Sequence, residues 1–386
     1  MPNEPVGADV SRTAAAAGDA FGTDLYQVLA EQTTDTVFSP VNVAGALLMA
    51  LCGARGRTAE ELARALHLNS SPEVAADALR SLSAMLHALT TGGPATFRAP
   101  NTVWVQSGLP LRPEFTGRLT GAEVTLADAD FTGAPEAARG EINRVIAEQT
   151  GGKITGLLPP GTIGSLTRLV LASAVYLKAA WTNPFPESAT RDAPFYPDGP
   201  DRPGLTVPMM HGTAPRAYLR GDGYQAVLLP YQGASLAMAV VLPDGPLAAL
   251  RPRIGAAGLG GLLAGPATHQ VTLSMPRFRL EAEFDLIPAL QQLGVSQAFG
   301  DDADFSGITQ AEPLQISAVA HKAYIDVDEQ GTEAAAATAV IMRAAAALRT
   351  PPPVTMVVDR PFLFAIVDTA TGLPLFLGQL TQPRTG

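Results

Sequence analysis

Glu329-Gln330-Gly331-Thr332-Glu333-Ala334-Ala335-Ala336-Ala337-Thr338-Ala339-Val340-Ile341-Met342-Arg343-Ala344-Ala345-Ala346-Ala347-Leu348-Arg349 is a stretch whose composition conflicts with its setting. The residues before it, Ala323-Tyr324-Ile325-Asp326-Val327-Asp328, alternate apolar and charged and predict a half-buried strand. Behind it stand Pro351, Pro352 and Pro353, which cannot donate backbone hydrogen bonds and prefer a stiff extended form. The alanines between have high helix propensity. Read alone, the run is an alanine-rich helix ended by the prolines, an exposed loop, or a strand. The order of its residues is more specific. A charged Glu329, a flexible Gly331, a small Thr332 and then a run of small residues describe a hinge followed by a smooth ribbon.

Composition bounds what such a ribbon can belong to. The chain has 386 residues and is 47% hydrophobic, ample for a sizeable core. Its net charge is −10 with no dominant cluster of Lys or Arg, which argues against nucleic acid as a partner. The single cysteine, Cys52, cannot form an internal disulfide and sits in an apolar run, where it packs as a small hydrophobe. Met1-Pro2-Asn3-Glu4-Pro5 lacks the basic start and apolar core of a signal peptide. No apolar run is long enough to span a membrane. The expectation is a soluble monomer, cytoplasmic as written, reaching the outside only by another export route or if a leader has been trimmed.

Outward from the ribbon, the chain reads as one continuous domain over residues 1–386, with 1–10 disordered and 329–360 forming hinge and loop. Residues 11–31, Val41 to Leu51 and 73–90 predict helices. Thr58-Ala59-Glu60-Glu61 has the spacing of a capping box and predicts a helix through Leu66. Asn101 to Val105 predicts a strand, and Glu136 to Gln149 a helix stopped by Gly151-Gly152. Leu169 to Leu177 is nearly all apolar, as in a central strand covered on both faces. Gln225 to Leu229, Leu236 to Leu242 and Val271 to Leu280 predict further strands. Gly255 to Gly265 reads as a flexible loop linked to a helix. Arg360 to Ile366 and Pro374 to Gly378 predict a buried hairpin through Thr371-Gly372.

Glu-x-Gly-Thr-Glu-Ala-Ala-Ala-Ala-Thr, from Glu329 to Thr338, resembles the hinge of the reactive-centre loop of the serpins, the serine protease inhibitor family. Further landmarks agree with that resemblance. They are Phe38-Ser39-Pro40 before an apolar helix, Lys178, Trp181, Pro184 and Phe185, Val207-Pro208-Met209-Met210, and Leu242-Pro243-Asp244. Asp304-Phe305-Ser306-Gly307-Ile308, His321-Lys322-Ala323 and the two C-terminal strands complete the set, which covers the chain from about residue 15 to Pro383. The resemblance implies an α+β fold of about eight to nine helices around three β-sheets, with an exposed mobile loop. It places Ser39, Asn42, Ser173, Trp181 and His321 where the main sheet opens. Two positions depart from the family's pattern. Pro100 replaces an alanine, and Ser173 replaces an asparagine that ties strands together near the sheet's centre. The resemblance also pairs Glu329 with Arg277 as an exposed ion pair worth at most about 1 kcal/mol.

Enzyme chemistry finds little support. The histidines, His67, His87, His211, His269 and His321, form no His-Glu-x-x-His helix, and no Gly-x-Ser-x-Gly elbow occurs. His321 is expected to begin a strand and to serve a structural role. Gly151-Gly152-Lys153-Ile154 lacks the upstream glycine of a phosphate loop, and Leu263 stands where a dinucleotide fingerprint needs its third glycine. No metal-ligand spacing or cofactor motif is present.

The resemblance implies inhibition as a suicide substrate. A protease attacks the exposed loop and forms an acyl intermediate, and the upstream half of the loop then inserts as a new strand. Thr332 to Ala345 spans roughly 45 Å at strand rise. Thr332, Ala334, Ala336, Thr338, Val340 and Met342 then share an inward face; Glu333, Ala335, Ala337, Ala339 and Ile341 share the other. The family's spacing from Glu329 puts the scissile bond at Ala345–Ala346, which suits elastase-like or subtilisin-like proteases. Arg343 or Arg349 invites trypsin-like enzymes, and Leu348 chymotrypsin-like ones. The alternative is a non-inhibitory member, a carrier, an interaction module or a plain protease substrate.

Overall fold

The computed structural model describes residues 6–32, 34–90, 94–333 and 353–383. In chain order its first half carries α1 (Val6–Gln32), β1 (Thr36–Phe38), α2 (Pro40–Gly53), α3 (Gly56–Ala65), α4 (Pro72–Thr90), β2 (Thr96–Arg98), β3 (Asn101–Gln106), α5 (Pro113–Leu119), β4 (Thr125–Ala129), α6 (Pro135–Gln149) and β5 (Leu169–Ala180). There follow β6 (Arg191–Phe195), β7 (Leu205–Gly221), β8 (Tyr224–Pro230), β9 (Leu236–Pro243), α7 (Arg251–Leu262), β10 (Ala267–Pro276), β11 (Phe278–Asp285) and α8 (Ile287–Gln292). The chain closes with β12 (Ile316–Val327), β13 (Gly331–Thr332), β14 (Val354–Val357), β15 (Phe362–Asp368) and β16 (Pro374–Leu380).

Eight α-helices and two hydrogen-bonded sheets stand among the described residues. The seven-stranded sheet runs β11-β12-β13-β5-β3-β4, with β2 also on β5. The nine-stranded one runs β1-β16-β15-β9-β8-β7-β10-β14, with β6 on β7. The three sheets implied by the family's pattern appear as these two because β7 serves two arcs. Residues 209–218 of β7 pair with β10, and residues 217–221 pair with β8. One long strand thus carries hydrogen bonding from one arc to the next.

β5 is apolar almost throughout because both its faces are covered. One face packs Val170, Ala172 and Ala174 beneath Ile142 and Ile146 of α6. On the other, Leu169 and Leu171 join the core around α2, and Val175, Leu177 and Ala179 join the core shared with the nine-stranded sheet.

Several expectations are corrected. α1 begins at Val6, inside the segment expected to be disordered. Thr58 does not cap its own helix. Its hydroxyl accepts from the Asp304 amide at 2.9 Å, and Glu61 accepts from the amides of Ser296 and Gln297, both at 2.8 Å. The capping-box residues therefore fasten a distant loop, a use that local spacing cannot reveal. Residues 251–262 are helical, not loop, with a break at Gly258, where φ is +68°. The Asp19 carboxylate of α1 accepts from the amides of Leu259 and Gly260, each at 3.2 Å, and restarts the helix after the break. The expected strand over 271–280 is two strands, because the chain passes between sheets at Arg277.

Candidate functional site: the hinge and the seam beneath it

β12 and β5 run parallel and pair directly from Ile316–Leu169 to Tyr324–Tyr176. Beyond that point they part, and β13 lies between them, antiparallel to both. Thr332 pairs with Val327 on one side and Ala179 on the other, while Gly331 pairs with Ala180.

Local chemistry makes the reversal that brings β13 there. The Asp328 carboxylate accepts from the amides of Gln330 at 2.8 Å and Gly331 at 3.0 Å, as in a side-chain-closed turn. A Cβ at position 331 would overlap the carbonyl oxygen of Ala179, so the strand edge admits only glycine. Trp181 donates its indole N–H to Asp328 O at 3.0 Å and its amide to Gln330 O at 2.8 Å. Tyr231 stacks on Trp181 with ring centroids 4.6 Å apart. Its hydroxyl lies 2.6 Å from Thr332 Oγ1, and Thr332 is fully buried.

Glu329 anchors the turn. Arg277 Nε approaches Glu329 Oε1 at 2.7 Å and Nη2 at 2.6 Å, and the Thr190 hydroxyl donates to the same oxygen. The pair is not exposed as expected. Arg277's side chain is 45% exposed, but that of Glu329 is 3% exposed. Burial alone would raise the Glu329 pKa; the hydrogen bonds from Arg277 and Thr190 outweigh it and hold the carboxyl below its usual range.

The N-terminus of α2 stitches the seam from below. Ser39 is the N-cap, its hydroxyl accepting from the Asn42 amide at 3.3 Å. The Ser39 amide donates to His321 Nε2 at 2.9 Å. That bond leaves the ring proton on Nδ1, which lies 2.8 Å from Ser173 Oγ. The Ser173 hydroxyl donates onward to Ala320 O at 3.4 Å. Asn42 Nδ2 donates to Ala174 O at 2.6 Å. One helix terminus thereby touches both strands of the seam. His321 lies mid-strand in β12, not at its start as expected, and burial pushes its imidazole down to about 3.

Ser39, Asn42, Ser173 and His321 form one cluster, and Trp181, Arg277, Glu329, Gly331 and Thr332 a second one at the sheet's end. Glu333, the last described residue before the gap, sits beside Lys153. Ala334, Ala335, Ala336, Ala337 and Thr338 of the expected hinge lie outside the described residues. So do the scissile candidates Arg343, Ala345, Ala346, Leu348 and Arg349. Sequence reasoning did not assign Tyr231, Thr190 or Asp328, because each gains its role only through a long-range contact. Cys52 is fully buried, and burial pushes its thiol up to about 12, too high for a nucleophile. Among the described residues no group of three His, Cys, Asp or Glu side chains is placed to hold a metal. No described helix is long and apolar enough to cross a membrane.

The family profile described as Serpin (serine protease inhibitor) matches residues 16–383. The chain belongs to the serpin family. It is 39% identical over 373 residues to an uncharacterized serpin-like protein of Thermococcus kodakarensis, covering 95% of this chain and 85% of that one. It is 37% identical to the leukocyte elastase inhibitor of Bos taurus, covering 95% and 99%. Among solved structures it is similar to human thyroxine-binding globulin, with a TM-score of 0.84 at 26% identity, covering 97% of this chain and all of the other.

Proposed function

We propose that this serpin inhibits serine proteases as a suicide substrate. The observation that carries the reading is the position of β13. Residue 332, the first that must enter the sheet, already lies between β12 and β5, and it is a small threonine buried toward the core. The register, continued without a break, runs Met342 alongside Leu169 and Arg343 alongside Ile316, the first residues of β5 and β12. The sheet thus has room for almost all of Thr332–Ala345, and a bond broken at Ala345–Ala346 leaves the acylated end at the sheet's far edge. At a net ~0.5–1.5 kcal/mol per new hydrogen bond, about a dozen bonds release on the order of ten kcal/mol. Opening must break the β12–β5 ladder and the Ser173–His321 contact. The uncleaved form is then held kinetically, not at its lowest free energy.

Ala345 favours an elastase-like or subtilisin-like target, and the likeness to a leukocyte elastase inhibitor supports the first. The likeness to thyroxine-binding globulin favours a second reading, a carrier that forms no trapped complex. Incubation with elastase, subtilisin and trypsin, read by denaturing electrophoresis and mass analysis, separates the two. A detergent-stable complex with acylation after Ala345 is expected; clean cleavage without a complex would establish the carrier or substrate reading.

A further inference from the structure

At Glu333 the chain stops being a strand. Its amide still donates to Asp326 O at 2.8 Å, the next bond in the β12–β13 register. Its φ, however, is +46°, in the left-handed region that a residue with a Cβ adopts only under constraint. The constraint is visible. Glu333 Oε1 is ion-paired with Lys153, on the segment that follows α6, and Glu333 Oε2 is buried without a hydrogen-bond partner among the described residues. Thr332, one residue earlier, is in strand register and fully buried.

We propose that Lys153 is a positioning residue that opposes extension of β13 beyond Thr332 by holding Glu333 out of strand geometry. The inference rests on the inhibitory reading above. An ordinary surface pair joining residues 180 apart would have no reason to coincide with both the last described ladder bond and the one positive φ outside glycine among the described hinge residues. For residue 334 to pair, Glu333 must swing to negative φ. Strand alternation then carries its side chain to the face opposite Thr332. The register sets it there between Asp326 of β12 and Lys178 of β5. Asp326 is already held by Arg279 at 2.5 Å. Glu333 therefore gives up Lys153, gains Lys178, and moves next to a like charge. Lys153 opposes that swing, and Lys178 receives it.

The test tracks spontaneous conversion of the uncleaved protein, well below its melting temperature. Converted protein is scored by a higher melting transition and by loss of subtilisin cleavage in 334–349, neither of which needs a trapped complex. Lys153→Ala is expected to convert about three- to tenfold faster than wild type. Lys153→Glu should be at least as fast, and Lys153→Glu combined with Glu333→Lys should return toward the wild-type rate. Lys153→Arg should stay within twofold of wild type. Unchanged or slower conversion of Lys153→Ala, or no rescue by the swapped pair, overturns the stop while leaving the inhibitory reading intact. If cleaved wild type gains no thermal stability at all, both readings fall together.

Discussion

Glu329 is a carboxylate kept out of water, and its cation, Arg277, reaches it from the point where the chain changes sheets. The pair matters less for its attraction than for the unpaired buried charge that its loss would leave. Arg277→Ala strands the carboxylate with only Thr190 beside it. Because Arg277 is itself half exposed, we expect a cost of about 1–2 kcal/mol, below that of a fully buried pair. Urea unfolding measures it, and an equal midpoint in the variant would show that the turn needs no anchor. The Glu329 pKa is depressed in the folded state, so this stability is present above the ordinary carboxylate range and lost as pH falls through the folded value. The difference between wild type and variant should therefore shrink in acid. His321 carries a second pH effect. Its folded value is about 3 against an ordinary 6.5, so between those values the unfolded chain binds the extra proton. The stability that neutral His321 supplies is complete above pH 6.5 and is lost as pH falls toward 3. His321→Asn should flatten the stability–pH curve between about pH 6 and 4. A curve parallel to wild type would mean that His321 is protonated in the fold. The Ser173 hydroxyl supplies the acceptor for the His321 ring N–H.

At the scale of the element, β13 is two residues long and lies between β12 and β5 of the seven-stranded sheet. It is wedged where β12 and β5 have already parted, so the proposed insertion would open the ladder below it from an existing gap instead of from an intact edge. A side chain that cannot be buried at 332 should stop that opening. Thr332→Arg would set a long guanidinium side chain against Tyr231 and Trp181 at a fully buried position. We expect the variant to be cleaved as a substrate, with a stoichiometry of inhibition raised at least tenfold. An unaltered stoichiometry would count against insertion. The long strands and helices here were legible from periodicity, because β5, β9, β12 and α2 are buried along most of their length. The misread elements share a cause. Thr58 and Glu61 serve a loop 235 to 246 residues away, and α7 survives its glycines through Asp19 of α1. In both, the deciding hydrogen bond comes from outside the local window.

Across the whole molecule, the proposed inhibitory reading requires the resting protein to store free energy that insertion of a new strand would release. Cleavage near Ala345 should release it. On the order of ten kcal/mol corresponds to a rise of roughly 10–20 °C in melting temperature for a chain of this size. Calorimetry of intact and subtilisin-nicked protein measures the rise, and coincident transitions would leave insertion without a driving force. The sequence by itself determined that the early residues of the ribbon, Thr332 to Ala339, are mostly small, and that long apolar strands such as β5 are covered on both faces. The resemblance to the serpins, carried by short motifs of the linear chain, brought Glu329, Arg277, Ser39 and His321 to notice as candidates. Only the tertiary structure decided that Glu329 is buried, that His321 donates its ring N–H to Ser173, and that Glu333 is caught by Lys153. Burial, tautomer and backbone rotation at those positions depend on neighbours 50 to 280 residues away. No local pattern encodes such neighbours.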